Sequence, residues 1–582
     1  MQHWRRLVRE QRVAGLACTM LGGAAICYFL IFPLLMLVVG ALRSSPYGTE
    51  GHWTLAGFAT VVADPWTAPT LLATVFYALV STIGCMVPGF WFATVATRLA
   101  TPLRWLITPA MVVLVATPRL FYALSWSMLG NPNSGLFARA LRDLGVAQPP
   151  DWMTVYSWPG LLLVTILKLV GFAYLLLYGP VSRIDRSLED AAVMAGVARV
   201  RAYFDITVTS LMPALLACFM LIFVEVLQVF DLPAVLGLPA GIHTLPIRVN
   251  DYLLETTRPN WVAASALSFV IVLAIGALLL LQRSILRDRD YVTIGGRTGI
   301  GALAKPGRWA GAIDASIVGF VLVAILLPIA QIVLGSFQPF FGVYGNWTLA
   351  NYQYAWSDDG SFRAMLVTLA IAAGGGSVTV SSAFAMAYIM QRQPRSPLAL
   401  LSRVGSWVPA CAPGIVLSLA LLWSYLNTPL VARLFGTPWL MGLALVVGAI
   451  PIAVRAVEGI VAQVGREVEE AARVCGAGPL AAVLEVTAPL ATPSLLAAWF
   501  LVGLAISGTL DIPLLLQSID SQTVATMAYS LYTYGRVPQA AALFCLYLVL
   551  ALLTASIGVV VFTMARRGLL CVIVMWQRDV AV

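Results

Sequence analysis

The sequence predicts an all-α protein that crosses a membrane about twelve times, as two parallel repeats of six helices each. Three observations carry that prediction. First, 60% of the 582 residues are hydrophobic and 10% are charged, with a mean hydropathy of +0.89; a soluble domain carries roughly a quarter charged residues. Second, apolar runs such as Trp261–Gln282 are long enough to cross a ~30 Å hydrocarbon core as helices, and the alternating segments of a membrane barrel are not seen. Third, the chain repeats itself. Trp53–Ala56 (WTLA) returns at Trp347–Ala350, and the long runs that follow end in Arg98 and Arg392, both at an offset of 294. Further on the offset is 280: Asp190 matches Glu470, Gly196 matches Gly476, Ile206 matches Val486, Pro213 matches Pro493, and Phe230–Pro233 (FDLP) matches Leu510–Pro513 (LDIP). The fall from 294 to 280 puts about fourteen extra residues in the first half, within the polar stretch Gly130–Trp152.

The basic N-terminus, Met1–Arg12, leads into an apolar run from about Val13 to Leu42. That run is too long for a signal-peptide core and lacks a small-residue cleavage site, so it is a retained first span. The other first-half spans are expected near 70–97, 105–129, 156–180, 211–230 and 260–281. Gln282–Arg308 is polar, with glycines and six Lys/Arg, and is the natural boundary. Second-half spans are expected near 311–336, 364–391, 403–425, 438–460, 494–512 and 539–565. The organisation is therefore a first half over 1–281 with a polar loop at about 181–210, a linker over 282–310, and a second half over 311–582 with its loop at about 461–493.

Most arginines fall at the N-terminus, in 98–104, 181–210, 282–310, 392–403 and 461–493, and in the C-terminal tail, whereas Phe337–Gly360 has no Lys or Arg. The positive-inside rule places the arginine-rich segments and both termini in the cytoplasm. The net charge of +9 lies beside spans rather than in a patch and does not point to nucleic acid. The eight cysteines show no C-x-x-C spacing and the three histidines are scattered, so no metal site is expected. No G-x-x-x-x-G-K-[ST] occurs, so the chain has no phosphate loop of its own.

Both polar loops repeat one pattern. Ser187 is expected to cap a helix whose first turn carries Glu189 and Asp190, close to a capping box and suited to the positive helix end. Ala191 and Ala192 give a narrow face, Gly196 ends or bends the helix, and Pro213 opens the next span. The second copy reads Glu469, Glu470, Ala471, Ala472, Gly476, Val486 and Pro489. One copy alone reads equally as an amphipathic connector on the lipid surface. Two copies in register point to a short surface helix presented twice to something outside the membrane.

E-A-A-x-x-x-G, then a nine-residue gap, an aliphatic residue and a proline, resembles the cytoplasmic loop signature of ABC-importer permeases. Here it reads Asp190-Ala191-Ala192…Gly196…Ile206 and Glu470-Ala471-Ala472…Gly476…Val486…Pro489. The resemblance implies the type I ABC importer permease fold, with each loop forming a coupling helix in a cleft of an ATP-hydrolysing subunit. It implies two cytoplasmic ATPase subunits carrying the ATP and magnesium, an extracytoplasmic solute-binding protein, and no enzymatic activity or cofactor on this chain. The first copy departs from the pattern with Asp190 for glutamate and Thr209 where the second has Pro489, so the two contacts are expected to be unequal. One chain carrying both halves resembles the iron(III)/thiamine-type permeases, as do Val229–Leu253 and Tyr291–Arg297. Ferric iron is the expected cargo, with thiamine or an aminophosphonate as alternatives.

Asp231 and Asp511 recur at the outer ends of the fifth spans, each two residues before a proline. A helix C-terminus followed by an Asp-Pro turn explains them more simply than a gate on the central path. Lys168 and Glu225 lie in apolar spans with no counterpart in the repeat, and are expected to pair with each other or to lie near a span end, with a pathway role as the sharper alternative. Arg455 and Glu458 are expected to form an ion pair, and Gly374–Gly376 a close helix contact. An ion-coupled secondary transporter is the rival class. It predicts acidic residues repeated at mid-membrane, whereas Glu225 stands alone.

Overall fold

Lipid offers the backbone no hydrogen-bond partner, so apolar runs must satisfy their N–H and C=O groups internally, as helices. The computed structural model describes residues 19–45, 50–145, 150–185, 187–255, 259–286, 303–426, 428–518 and 520–556. The basic N-terminus, most of the expected linker and the C-terminal tail lie outside the described residues. Every named element is helical. Among the described residues, ten helices are long and apolar enough to span a membrane: Thr19–Ala41, Thr67–Arg98, Trp158–Arg183, Val200–Gln228, Trp261–Ser284, Gly307–Ser336, Asp359–Arg392, Pro438–Gln463, Pro479–Ser507 and Val537–Ser556.

The third and ninth expected spans are broken helices. Arg104–Ala116 and Arg119–Gly130 meet at 98°, and Pro397–Cys411 and Gly414–Leu426 meet at 117°. The cause is local. Pro118 and Pro413 have no N–H to continue the ladder, and the residues before them, Thr117 and Ala412, are extended at ψ 124° and 126°.

The fifth and eleventh spans begin earlier than hydropathy predicts, at Val200 and Pro479 rather than near 211 and 494. The helical ladder does not need apolar side chains, so it runs on into polar sequence through π-helical turns at Tyr203–Val208 and Ala482–Thr487. Pro213 therefore lies inside the helix Thr209–Gln228 and does not open the span. Pro493 does the same in Ala488–Ser507.

The halves exchange their terminal spans. A Cβ on Gly40 would lie 2.7 Å from the Trp423 ring, and one on Gly405 2.6 Å from Ile26. Trp423 Nε1 donates to Ser265 Oγ at 3.1 Å. The first and sixth spans of the first half thus pack in one core with the middle spans of the second half. The converse core holds the seventh and twelfth spans against the first half's middle spans, with Gly335 on Met128. Small residues at these crossings let backbones approach closely. The expected glycine contact fits the same rule: Gly376 and Gly503 face each other across the eighth and eleventh spans, 3.5 Å from a Gly376 Cβ.

Candidate functional site

The loop helices occupy Ser187–Met194 and Arg466–Val474. The first begins at Ser187, so Ser187 is helical and not the cap; Asp185 Oδ1 accepts its backbone N–H at 2.9 Å. Both helices stop the same way. Gly196 and Gly476 adopt φ +92° and +94°, a conformation that disfavours any Cβ. Gly196 N–H donates to Val193 O and Val197 N–H to Ala192 O; Gly476 N–H donates to Arg473 O and Ala477 N–H to Ala472 O. These are matched Schellman closures. Among the described residues, no atom beyond the glycine's own chain neighbours lies within 4 Å of a Cβ built on either glycine, so that side is open.

Each helix has two faces. Outward, Asp190, Ala191, Glu470 and Ala471 are exposed, with Ala192 and Ala472 partly so. Around them stand apolar side chains that the sequence reading did not single out. Leu188, Met194, Val200 and Phe204 are exposed on the first loop, and Val468, Val474, Leu480 and Leu484 on the second, each pair 280 apart. Met194 and Val474 are both 88% exposed. Their signal was the repeat offset itself, which holds for apolar residues as well as for the charged ones. Ile206 and Val486 are half-buried in the π-helical turns, and Pro489 is exposed.

Inward, Glu189 and Glu469, the residues just before the exposed Asp190 and Glu470, turn away from solvent. Glu189 pairs with Arg98 at the C-terminal end of the second span and accepts from the Thr207 hydroxyl near the N-terminal end of the fifth. Glu469 is 4% exposed and accepts from Arg392 Nε at 3.0 Å, Thr487 Oγ1 at 2.9 Å and the Tyr388 hydroxyl at 3.0 Å. Burial alone would raise the Glu469 carboxyl. Donation from Thr487, Arg392 and Tyr388 outweighs it and holds the group below the usual carboxylate range. The loop pattern in the sequence names Glu189 with Asp190 and Glu469 with Glu470 and does not separate their two faces. The Ala304 backbone, at the end of the linker, pairs with that of Arg98 and Ala100 beside the first junction.

A second cluster lies where the broken spans meet. Gln228 Nε2 donates to Ala410 O at 3.0 Å, and a Cβ on Gly508 would lie 2.3 Å from Pro118, so the end of each half's fifth span touches the other half's break. Arg119, the first residue after one break, pairs with Glu225, and its charge lies within electrostatic range of Asp231 and Asp511 without an ion pair to either among the described residues. Asp231 and Asp511 do not end helices, as the sequence suggested. Each opens a short one after the fifth span closes, and Asp511 Oδ1 accepts the Ile512 N–H at 2.9 Å. A carboxylate there suits the positive helix end. Asp511 also crowds Gly414, the residue after the second break. Lys168 does not pair with Glu225. Its Nζ donates to the carbonyls of Leu114, Val115 and Thr117, filling the orphaned end of the broken helix. Arg455 lies over the Trp407 ring at 4.7 Å, and among the described residues no ion pair joins it to Glu458.

A family model described as "Binding-protein-dependent transport system inner membrane component" matches residues 86–288 and again 380–567. The chain is 24% identical to the putative ferric transport system permease protein FbpB 1 of Haemophilus influenzae, over 84% of this chain and 75% of that one. It is 23% identical to the ferric transport system permease protein FbpB of Actinobacillus pleuropneumoniae, over 81% and 67%. A shorter relative, the putative 2-aminoethylphosphonate transport system permease protein PhnU of Salmonella typhi, is 25% identical over 43% of this chain and 85% of its own length.

Proposed function

The chain belongs to the binding-protein-dependent transport system inner membrane components, carries that domain twice, and is a permease of an ABC importer; from that premise we propose that its two loop helices are the docking sites of two cytoplasmic ATPase subunits. The observation that carries this reading is the duplicated apolar face. Four exposed hydrophobic side chains recur in register around an alanine pair and an open glycine. Exposed apolar patches of this kind mark interaction surfaces, and a knob such as Met194 or Val474 is shaped to enter a cleft. ATP and magnesium sit on the partners, and this chain performs no hydrolysis. ATP-driven closure of the partners moves the helices and shifts the central path between inward- and outward-facing states. The cluster of Arg119, Glu225, Asp231 and Asp511 closes that path where the halves meet.

Ferric iron is the cargo this reading favours, because the relatives named for ferric transport span both halves. An aminophosphonate is the second reading, supported by the relative that matches one half. A solute-binding protein outside the membrane delivers either. The test is reconstitution of the permease with its ATPase subunits and binding protein in vesicles. Uptake of ferric ion that needs ATP, and that 2-aminoethylphosphonate does not compete away, is the expected result. Uptake driven by an ion gradient without ATPase subunits would overturn the importer reading.

A further inference from the structure

Each loop helix leaves the membrane body through weak points. The first is flanked by the non-helical residues Ile184 and Asp185 and by the turn at Gly196; the second by Val464, Gly465 and the turn at Gly476. A push on such a helix would be absorbed at those points if the chain were its only attachment. It is not the only attachment. One carboxylate per helix reaches two other elements at once: Glu189 holds Arg98 on the second span and Thr207 on the fifth, and Glu469 holds Arg392 and Tyr388 on the eighth and Thr487 on the eleventh. The separations along the chain are 91 and 77 residues for the arginines and 18 for each threonine.

We propose that Glu189 and Glu469 are positioning struts that make each loop helix, the second span and the fifth span of its half a single unit, so that movement imposed on the helix reaches the central path. This rests on the docking reading above. The carboxylates do not meet the partner; the exposed Asp190 and Glu470 beside them do. Replacing the strut by glutamine keeps its size and one acceptor oxygen but removes the negative charge that holds the arginine, so the unit loosens while the outward face is preserved.

The test follows the movement without needing the cargo. Cysteines replace Ser210 and Leu490, exposed equivalents on the fifth and eleventh spans, in a background without other cysteines, and carry spin labels. The permease is assembled with its ATPase subunits in vesicles, and the label separation is compared without nucleotide and after trapping with ATP and vanadate. With both struts intact the separation changes. In the Glu189→Gln/Glu469→Gln permease, ATPase subunits still co-purify and hydrolyse ATP, while the change in separation falls by at least about fivefold. Exchanging the partners of the second junction, Arg392→Glu with Glu469→Arg in the Glu189-intact chain, recovers more of the change than Glu469→Arg alone. An undiminished change in the double glutamine variant overturns the proposal. So does loss of ATPase subunits and of movement together without recovery on exchange, which would make the junctions a folding requirement only. Failure of the docking reading is seen separately, as unsubstituted permease that co-purifies with no ATPase subunit.

Discussion

At the second junction Arg392 gives Nε to Glu469 and Nη2 to Glu469 and Val464 O, and Tyr388 adds its hydroxyl to the carboxylate. At the first, Arg98 reaches Glu189 through Nη1 alone, and its buried Nε and Nη2 have no hydrogen-bond partner among the described residues. The tyrosine has changed places. Thr94 stands where the second half has Tyr388, and Tyr203 stands where it has Val483, with its hydroxyl on Thr94 and its ring 5.7 Å from the Arg98 guanidinium. The helix closures match in both loops, down to a 2° difference in glycine φ (+92° and +94°). The duplication has thus held the shape of the exposed face while the buried chemistry behind it has diverged, and the second junction is the better satisfied.

The comparison is broken most severely at the shared face. Met194→Asp with Val474→Asp places a charge where each knob would be desolvated, and uptake falls by at least about 100-fold, since each site costs several kcal/mol. Either change alone leaves measurable uptake if the loops act separately. Uptake and co-purification of ATPase subunits are the readouts.

Removing one partner of a buried ion pair leaves the other uncompensated. Glu469→Ala is expected to cost about 3–5 kcal/mol. Glu189→Ala costs less, by about 1 kcal/mol for the missing hydroxyl donor. Heat-induced unfolding of the purified permease in detergent checks the order. Equal losses would mean that the difference in hydrogen bonding carries no weight.

Glycine substitution probes the partner side. Gly196→Asp and Gly476→Asp share the same backbone strain, and either uncouples ATP hydrolysis from uptake while the permease still inserts. Gly476→Asp is the more damaging, with uptake lower by at least about tenfold, because Glu470 and Pro489 hold that contact closer. Normal uptake in both variants would sink the docking assignment, and equal loss only the inequality.

The smallest effect is with pH. The Glu469 carboxyl is held below its ordinary value, so its contribution is present above the unfolded pKa of about 4.3 and is lost as pH falls through the folded value. The stability gap between the native permease and Glu469→Gln therefore persists from about pH 8 to pH 5 and narrows below about pH 4. A gap that narrows between pH 8 and pH 6 would contradict this.

The repeat, the span count, the loops and their glycines were legible in the sequence, because each is local or recurs at a fixed offset. The junctions were not, since Arg98 and Glu189 lie 91 residues apart and nothing in either neighbourhood names the other. The hydropathy of the longer runs on either side carries through Pro118 and Pro413, although both prolines, and Arg119 beside the first, signal a break. Lys168 was read as a partner for Glu225 because charge invites charge; three backbone carbonyls left by the broken helix took its place. The exchange of terminal spans left no mark in a pattern that reports burial but not the neighbour.

The most direct measurement of the docking assignment is site-directed cross-linking in the native membrane. Cysteines at Met194 and Val474 in one permease should each capture an ATPase subunit, giving a product that carries two. Capture at neither position, or labelling of either cysteine by a membrane-impermeant reagent added outside intact cells, would contradict it.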